Sequence, residues 1–218
     1  MIVTDIEGTT SSISHVHEVL FPYSRARVAD WIGRAECAGI VEQVRAEVGR
    51  PDAGLDEVAA VLVGWLDADV KIAPLKSLQG LIWQHGYDSG ELTAHVYEDV
   101  PPALERWRAA GVPVYVYSSG SELAQRLWFR HTQHGDLLDY FAGHFDTVSA
   151  GPKKAAESYR VITKALGAEP SAITFLSDVA AELDAAAAAG WHTVGVSRPA
   201  DGSPEVGRHR RITTFDVL

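Results

Sequence analysis

The sequence predicts an α/β protein, a doubly wound parallel sheet with an all-helical insertion after its first strand. Three observations carry that expectation. A strand-length apolar run, "MIVTDI", stands at the head of the chain and runs into acids. The long stretch after it holds apolar residues at helical spacing, with no convincing strand. From Val100 onward, β-branched and aromatic runs alternate with helix-length segments, the pattern of right-handed βαβ units.

In chain order, "IVTDI" (Ile2 to Ile6) reads as a short buried strand. "SHVHEVLFPYSRARVADWIGRA", "IVEQVRAEVGR", "LDEVAAVLVGWLDADV" and "LKSLQGLIWQHGY" read as helices. Breaks are expected at Gly49-Arg50-Pro51, at Ala73-Pro74, and from Gly86 to Gly90. Residues 15–99 are therefore expected to be the helical insertion, and residues 1–14 with 100–218 the sheet-bearing core. Within the core, "PPALERWRAAG" is a helix with proline near its start and Gly111 past its end. "VPVYVYSSG" is a strand that ends at two serines. A helix from Glu122 to His131, the strand "HFDTVS" and the helix "KKAAESYRVITKALG" follow. The strand "AITFLSD", the helix "VAAELDAAAAAG" and the strand "WHTVGVS" complete the pattern. Open parallel sheets bind ligands beyond the carboxyl ends of their strands, and here those ends carry "DIEGTT", "SSG" and "SD".

Composition narrows the class. A chain of 218 residues, 46% hydrophobic and 22% charged, can bury a sizeable core, and is packed rather than disordered. A net charge of -10 argues against a nucleic-acid partner, which needs a basic footprint. It leaves room for a small phosphorylated substrate, which a few local cations and a divalent metal can neutralise. Cys37 is the only cysteine, so neither an intrachain disulfide nor a thiolate cage is possible. No stretch reaches the roughly 20 apolar residues that cross a bilayer, and no basic leader precedes the first apolar run. A cytoplasmic protein without a membrane partner, and a monomer, is the expectation.

Four stations at the strand ends carry the chemistry. Asp5 is a carboxylate that can attack phosphorus and hold the phosphoryl group as an ester. Glu7, across the turn, can give and take a proton; Gly8 allows the turn, and Thr9 offers a hydroxyl or amide. Ser118 and Ser119, with the amides around Gly120, form a receptor for phosphate oxygens; Ser119 or Ser121 also suits a helix cap. Lys153 and Lys154 supply an ammonium against charge on the transferring phosphoryl group. Asp178 ends a strand, with Glu182 one helical turn on. Mg²⁺ takes oxygen ligands and one or two carboxylates, so Asp5 and Asp178 suit it, with Glu7 as a third candidate. Glu182 reads as a partner of the ligands rather than a ligand. Crowded carboxylates without a cation would repel one another. Each string alone is an ordinary turn, cap or surface lysine; their shared place at strand ends favours a site.

These residues resemble the four motifs of the haloacid dehalogenase superfamily, mostly Mg²⁺-dependent phosphatases with a Rossmann-like core and often a helical cap. Its usual D-x-D-x-T reads Asp5-Ile6-Glu7-Gly8-Thr9 here, with glutamate at the second acid. "DIEGTTSSISHVHEVLFPY" is similar to the start of the enolase-phosphatases of methionine salvage (acireductone synthases), in which that glutamate is the rule. The resemblance continues through "DVKIAPLKSLQGLIWQHGY", "VYVYSSGSELAQRLWF", "GHFDT", "KKAAESYRVI" and "FLSDVAAELDAAAAAGW". It implies enolisation of 2,3-diketo-5-methylthiopentyl-1-phosphate and then its dephosphorylation to the acireductone, through an aspartyl-phosphate. By position it puts Asp5 and Glu7 on catalytic and metal roles and Ser118 and Ser119 on substrate binding. Lys153 falls on the substrate phosphate, with Lys154 as the rival, and Asp178 on a single Mg²⁺. Trp83, Tyr87, Leu78, Lys76 and His85 are candidate contacts for the methylthio tail. Another Mg²⁺-dependent small-molecule phosphatase of the superfamily is the alternative.

Overall fold

Six parallel strands lie in the order β3-β2-β1-β4-β5-β6. They are β1 (Ile2–Thr4), β2 (Val114–Tyr117), β3 (Phe141–Phe145), β4 (Thr174–Ser177), β5 (His192–Val196) and β6 (Arg210–Ile212). The computed structural model describes residues Met1–Leu218. They divide into two units, Met1–His15 with Thr93–Leu218, and Val16–Leu92.

In the first unit, sequence dictates the sheet directly. Val114–Tyr117 is "VYVY", and such β-branched and aromatic runs suit strands buried on both faces. β1 is flanked on one side by β2, with Thr4 beside Val116, and on the other by β4, with Thr4 beside Leu176. Chain order reverses direction across β1, so the crevice beyond β1 and β4 is the switch point where such sheets bind ligands. The helices α7 (Val100–Ala109), α8 (Glu122–Arg130), α9 (Ala156–Leu166) and α10 (Ala180–Ala188) join the strands. α9 stops at Gly167, which takes the left-handed conformation (φ 59°) that ends helices without a Cβ clash. Tyr117, Tyr159, Phe175 and Trp191 form the aromatic centre of this core, with Tyr159 5.3 Å from Phe175 and 5.2 Å from Trp191. Burial of each contributes roughly 1.5–3 kcal/mol.

Three features differ from the sequence pattern. β3 ends at Phe145 rather than running through "HFDTVS", because the Asp146 carboxylate accepts from Val148 N and Ser149 N and closes a turn. β6 is unexpected; its three residues are mostly basic, and only Ile212 is buried. Residues 93–99, assigned by helical spacing to the insertion, lie in the first unit. Ala94 N donates to His131 O, Val96 N to the Gln133 side chain, and Tyr97 N to Thr10 O.

The second unit is helical. It holds α2 (Phe21–Arg25), α3 (Val28–Ile32), α4 (Ala38–Glu47), α5 (Leu55–Asp67) and α6 (Ala73–Asp88), after the single turn α1 (Ile13–His15) that closes the first segment of the other unit. Val28, Trp31, Val44, Val58, Leu62, Leu78 and Ile82 form its core. The long first helix expected from "SHVHEVLFPYSRARVADWIGRA" is broken. A π-helical turn at Val16–Leu20 precedes Pro22, which has no N–H to continue the ladder, and a second stop separates α2 from α3. Gly86 does not interrupt α6; a Cβ there would lie 2.7 Å from the Tyr23 ring and from Leu92, so glycine permits a close approach. No helix is long and apolar enough to cross a membrane.

A buried ion pair ties the core's loops together. Arg198 donates to Asp99 Oδ2 at 2.7 Å and to Thr9 O at 2.9 Å, with side-chain exposures of 4% and 13% for the arginine and aspartate. Asp99→Ala strands a buried guanidinium and is expected to cost about 3–5 kcal/mol. Arg25→Ala, at a solvent-exposed pair, is expected to leave stability nearly unchanged. Urea denaturation of the two variants measures both.

Candidate active site

Asp5 leaves β1 at the switch point and is 4% exposed. Its Oδ1 accepts from Ile6 N at 2.8 Å, and its Oδ2 receives the Lys153 ammonium at 2.6 Å. The turn after it is tightly wound, since Thr9 N, Thr10 N and Ser11 N all donate to Ile6 O. Gly8 makes that turn possible in two ways. Its φ of 69° is left-handed, and a Cβ would lie 2.3 Å from Asp178 Oδ2. The Thr9 hydroxyl is wholly buried and accepts from Asp178 N at 3.1 Å, so it joins two loops. Glu7 is half-buried beside them and forms a backbone bridge with Ser11.

Lys153 is buried and Lys154 exposed, although both precede α9. Three hydroxyls hold the segment that delivers Lys153. Tyr117 donates to Gly151 O at 2.8 Å, Ser158 to Pro152 O at 2.8 Å, and Tyr159 to Lys153 O at 2.7 Å. The ammonium lies between two carboxylates, Asp5 and, at 2.8 Å, Glu182 Oε2. Burial works against its charge, but those carboxylates outweigh it and hold its pKa above the usual lysine value. Glu182 also accepts from Ser177 Oγ at 3.1 Å. Glu182 is thus the direct partner of the lysine, a role that helical spacing from Asp178 did not reveal.

Asp178 follows β4, is 7% exposed, and has an Oδ1 with no hydrogen-bonding partner. Burial first, and then the charge of Asp5, push its pKa up to about 7. Burial and Asp5 raise Glu182 as well. Three carboxyls therefore crowd around one ammonium, an excess of negative charge that a divalent cation fits. Asp5, Glu7 and Asp178 do not converge as a three-carboxylate cage. Two carboxylates still suit Mg²⁺, which keeps waters and takes substrate phosphate.

Ser118 and Ser119 follow β2, beside β1. Ser118 is 3% exposed, donates from its amide to Phe145 O at 3.2 Å, and accepts Gly120 N on its hydroxyl at 3.3 Å. Ser119 is exposed. Ser121, rather than Ser119, caps α8, accepting from Ala124 N at 3.3 Å. The hydroxyl grip of Tyr117 closes a tertiary contact and has no local sequence signature, whereas Ser158 and Tyr159 reach back only to the start of their own segment.

Residues 1–190 match the haloacid dehalogenase-like hydrolase family. Enolase-phosphatase E1 of Streptomyces avermitilis is 52% identical, over 98% of this chain and 92% of its own. The chain belongs to the enolase-phosphatase E1 family of haloacid dehalogenase-like hydrolases. Another family member, enolase-phosphatase E1 of Erwinia tasmaniensis, is 47% identical over 100% of this chain and 95% of its own. The crystal structure of the UTR4 protein of Saccharomyces cerevisiae superposes with a TM-score of 0.87 at 34% identity, covering 100% and 99% of the two chains. CbbY of Rhodobacter sphaeroides, solved in complex with phosphate, shares the fold of this hydrolase at 15% identity, with a TM-score of 0.61 over 98% and 93% of the chains.

The raised Asp178 pKa has a signed consequence for this hydrolase. A carboxyl whose folded pKa exceeds its unfolded value binds its proton more tightly when folded. Without metal, stability is therefore lost as pH rises from about 4 to about 7. A divalent cation binds the ionised form and restores it. Melting temperatures with and without Mg²⁺ are expected to diverge as pH rises through about 7. In Asp178→Asn the two curves stay together.

Proposed function

We propose that the chain is the enolase-phosphatase of methionine salvage. It turns 2,3-diketo-5-methylthiopentyl-1-phosphate into the acireductone, 1,2-dihydroxy-3-keto-5-methylthiopentene, and inorganic phosphate. One observation carries the reading: Asp5 held by Lys153 at 2.6 Å beside the buried, unpartnered Asp178 oxygen, in a chain 52% identical to a named enolase-phosphatase. The same reading carries Mg²⁺ as cofactor, the cytoplasm as compartment, a small phosphorylated diketone as sole partner, and a monomer.

Enolisation comes first. A carboxylate, for which Glu7 is the candidate, takes a proton from the carbon bearing the phosphate ester, and the electron pair moves onto the neighbouring carbonyl oxygen, which takes up a proton from solvent to give the enol. Asp5 and Asp178 are the residues that would hold Mg²⁺, which when bound would supply stabilisation of negative charge on oxygen. Phosphoryl transfer follows. An Asp5 carboxylate oxygen forms a bond to phosphorus as the ester P–O bond breaks, and Glu7 protonates the departing enol oxygen. Ser118, Ser119 and Lys153 bear the phosphate oxygens, whose charge the fixed ammonium offsets. Water then attacks phosphorus, Glu7 takes its proton, and the Asp5–phosphorus bond breaks to release inorganic phosphate. The preparatory grip on the lysine loop matters because donors that need not reorganise stabilise charge best.

The test supplies the diketone phosphate with Mg²⁺ and follows enol absorbance together with inorganic phosphate. Asp5→Asn is expected to lower phosphate release at least about a thousandfold while enol still accumulates. Glu7→Asp shortens the reach by one methylene. It is expected to slow enolisation more than phosphate release from preformed enol. Equal losses in the two half-reactions would remove Glu7 from enolisation. Full turnover by Asp5→Asn would remove the covalent route.

A further inference from the structure

The loop from Ser118 to Glu122 is stapled to the end of β3 by one side chain from the middle of α8. Gln125 is 1% exposed, and its Nε2 donates at 2.8 Å to Gly120 O and at 2.9 Å to Phe145 O. Both protons of the amide are thereby used. Its Oε1 faces His144 Nδ1 at 3.3 Å, which must be the donor of that pair. The reverse orientation of the amide would set an oxygen against two carbonyl oxygens, so the network fixes the amide and the imidazole tautomer together. His144 is consistently neutral, because burial and then Arg126 lower its pKa to about 4, and its Nε2 has no hydrogen-bonding partner.

The loop's other ties converge on the same place. Phe145 O accepts from Ser118 N as well as from Gln125, and Asp146 Oδ2 accepts from Glu122 N at 3.2 Å. Peptide planarity then sets the amides. With Gly120 C=O turned into Gln125, the N–H of Ser121 in the same peptide unit points the opposite way, away from the helix interior.

We propose that Gln125 is a positioning residue for substrate phosphate, orienting the Ser118–Ser121 loop by holding the Gly120 and Phe145 carbonyls at once. It touches no substrate and acts through the loop. This rests on the reading of Ser118 and Ser119 as the phosphate receptor. Its energetic basis is preorganisation: a loop held in its binding conformation loses less freedom when the phosphate arrives.

Gln125→Glu keeps the shape but removes one or both donors facing the carbonyls. Gln125→Met keeps the volume without polarity, and serves if the glutamate variant fails to fold. Each is assayed for KM and kcat on the diketone phosphate, the inhibition constant of inorganic phosphate, and melting temperature. Ser118→Ala and Ser119→Ala run in parallel. Both Gln125 variants are expected to raise KM and the phosphate inhibition constant together by about tenfold, with kcat within about threefold of the parent. A lower melting temperature with both constants unchanged overturns the proposal, because a merely structural glutamine behaves so. If the serine variants raise the constants in that case, the phosphate-receptor reading survives. If neither the serine nor the glutamine variants raise them, that reading fails and takes the proposal with it.

Discussion

The site depends on a single buried cation shared between two acids. Lys153 lies 2.6 Å from Asp5 and 2.8 Å from Glu182, with all three side chains under a tenth exposed. Such a pairing contributes little as a net stabiliser, because desolvating the charges offsets most of their attraction. Its value is geometric. The ammonium fixes the orientation of Asp5 from one side while Ile6 N fixes it from the other, so the carboxylate is held in one rotamer. Glu182 completes the lysine's coordination and is itself held by Ser177. Carboxyls still outnumber ammonium here, and the raised pKa of Asp178 records the imbalance.

The fold concentrates these groups with little help from individual contacts. β1 is central in the sheet, so the residues after β1, β2 and β4 emerge side by side at one edge. Gly8 then lets the first of these loops approach the third so closely that no side chain fits between. The hydroxyls of Tyr117, Ser158 and Tyr159 extend the aromatic core into the loop that delivers Lys153. Packing in the first unit is thereby coupled to the placement of one charge.

What was legible in the sequence follows from physical range. The alternation of apolar runs and helices marked the sheet, and its strand ends marked the places of Asp5, Ser118, Ser119 and Asp178, because local pattern determines both; Lys153, beyond β3 and just before α9, followed from the family resemblance. Long-range polar contacts leave no such trace. Glu182 read as a partner of the ligands but not of Lys153, and Gln125 only as a helix residue, since their partners come from other elements. β6 was invisible because a three-residue basic strand has no alternation to detect. The broken first helix of the insertion needed attention to Pro22, and Gly86 was misread as a break because its cause is the Tyr23 ring, far off in sequence.

The position of β1 has a consequence for how the chain acquires its shape during synthesis. It is made before both strands that flank it, and Ile2 pairs with Val114 and with Thr174. Such distant pairings close slowly. The helical unit, built from near neighbours, can collapse while Asp5 still waits for Lys153. A chain cut short before β4 therefore lacks one of the two strands that flank β1, and with it Asp178 and Glu182.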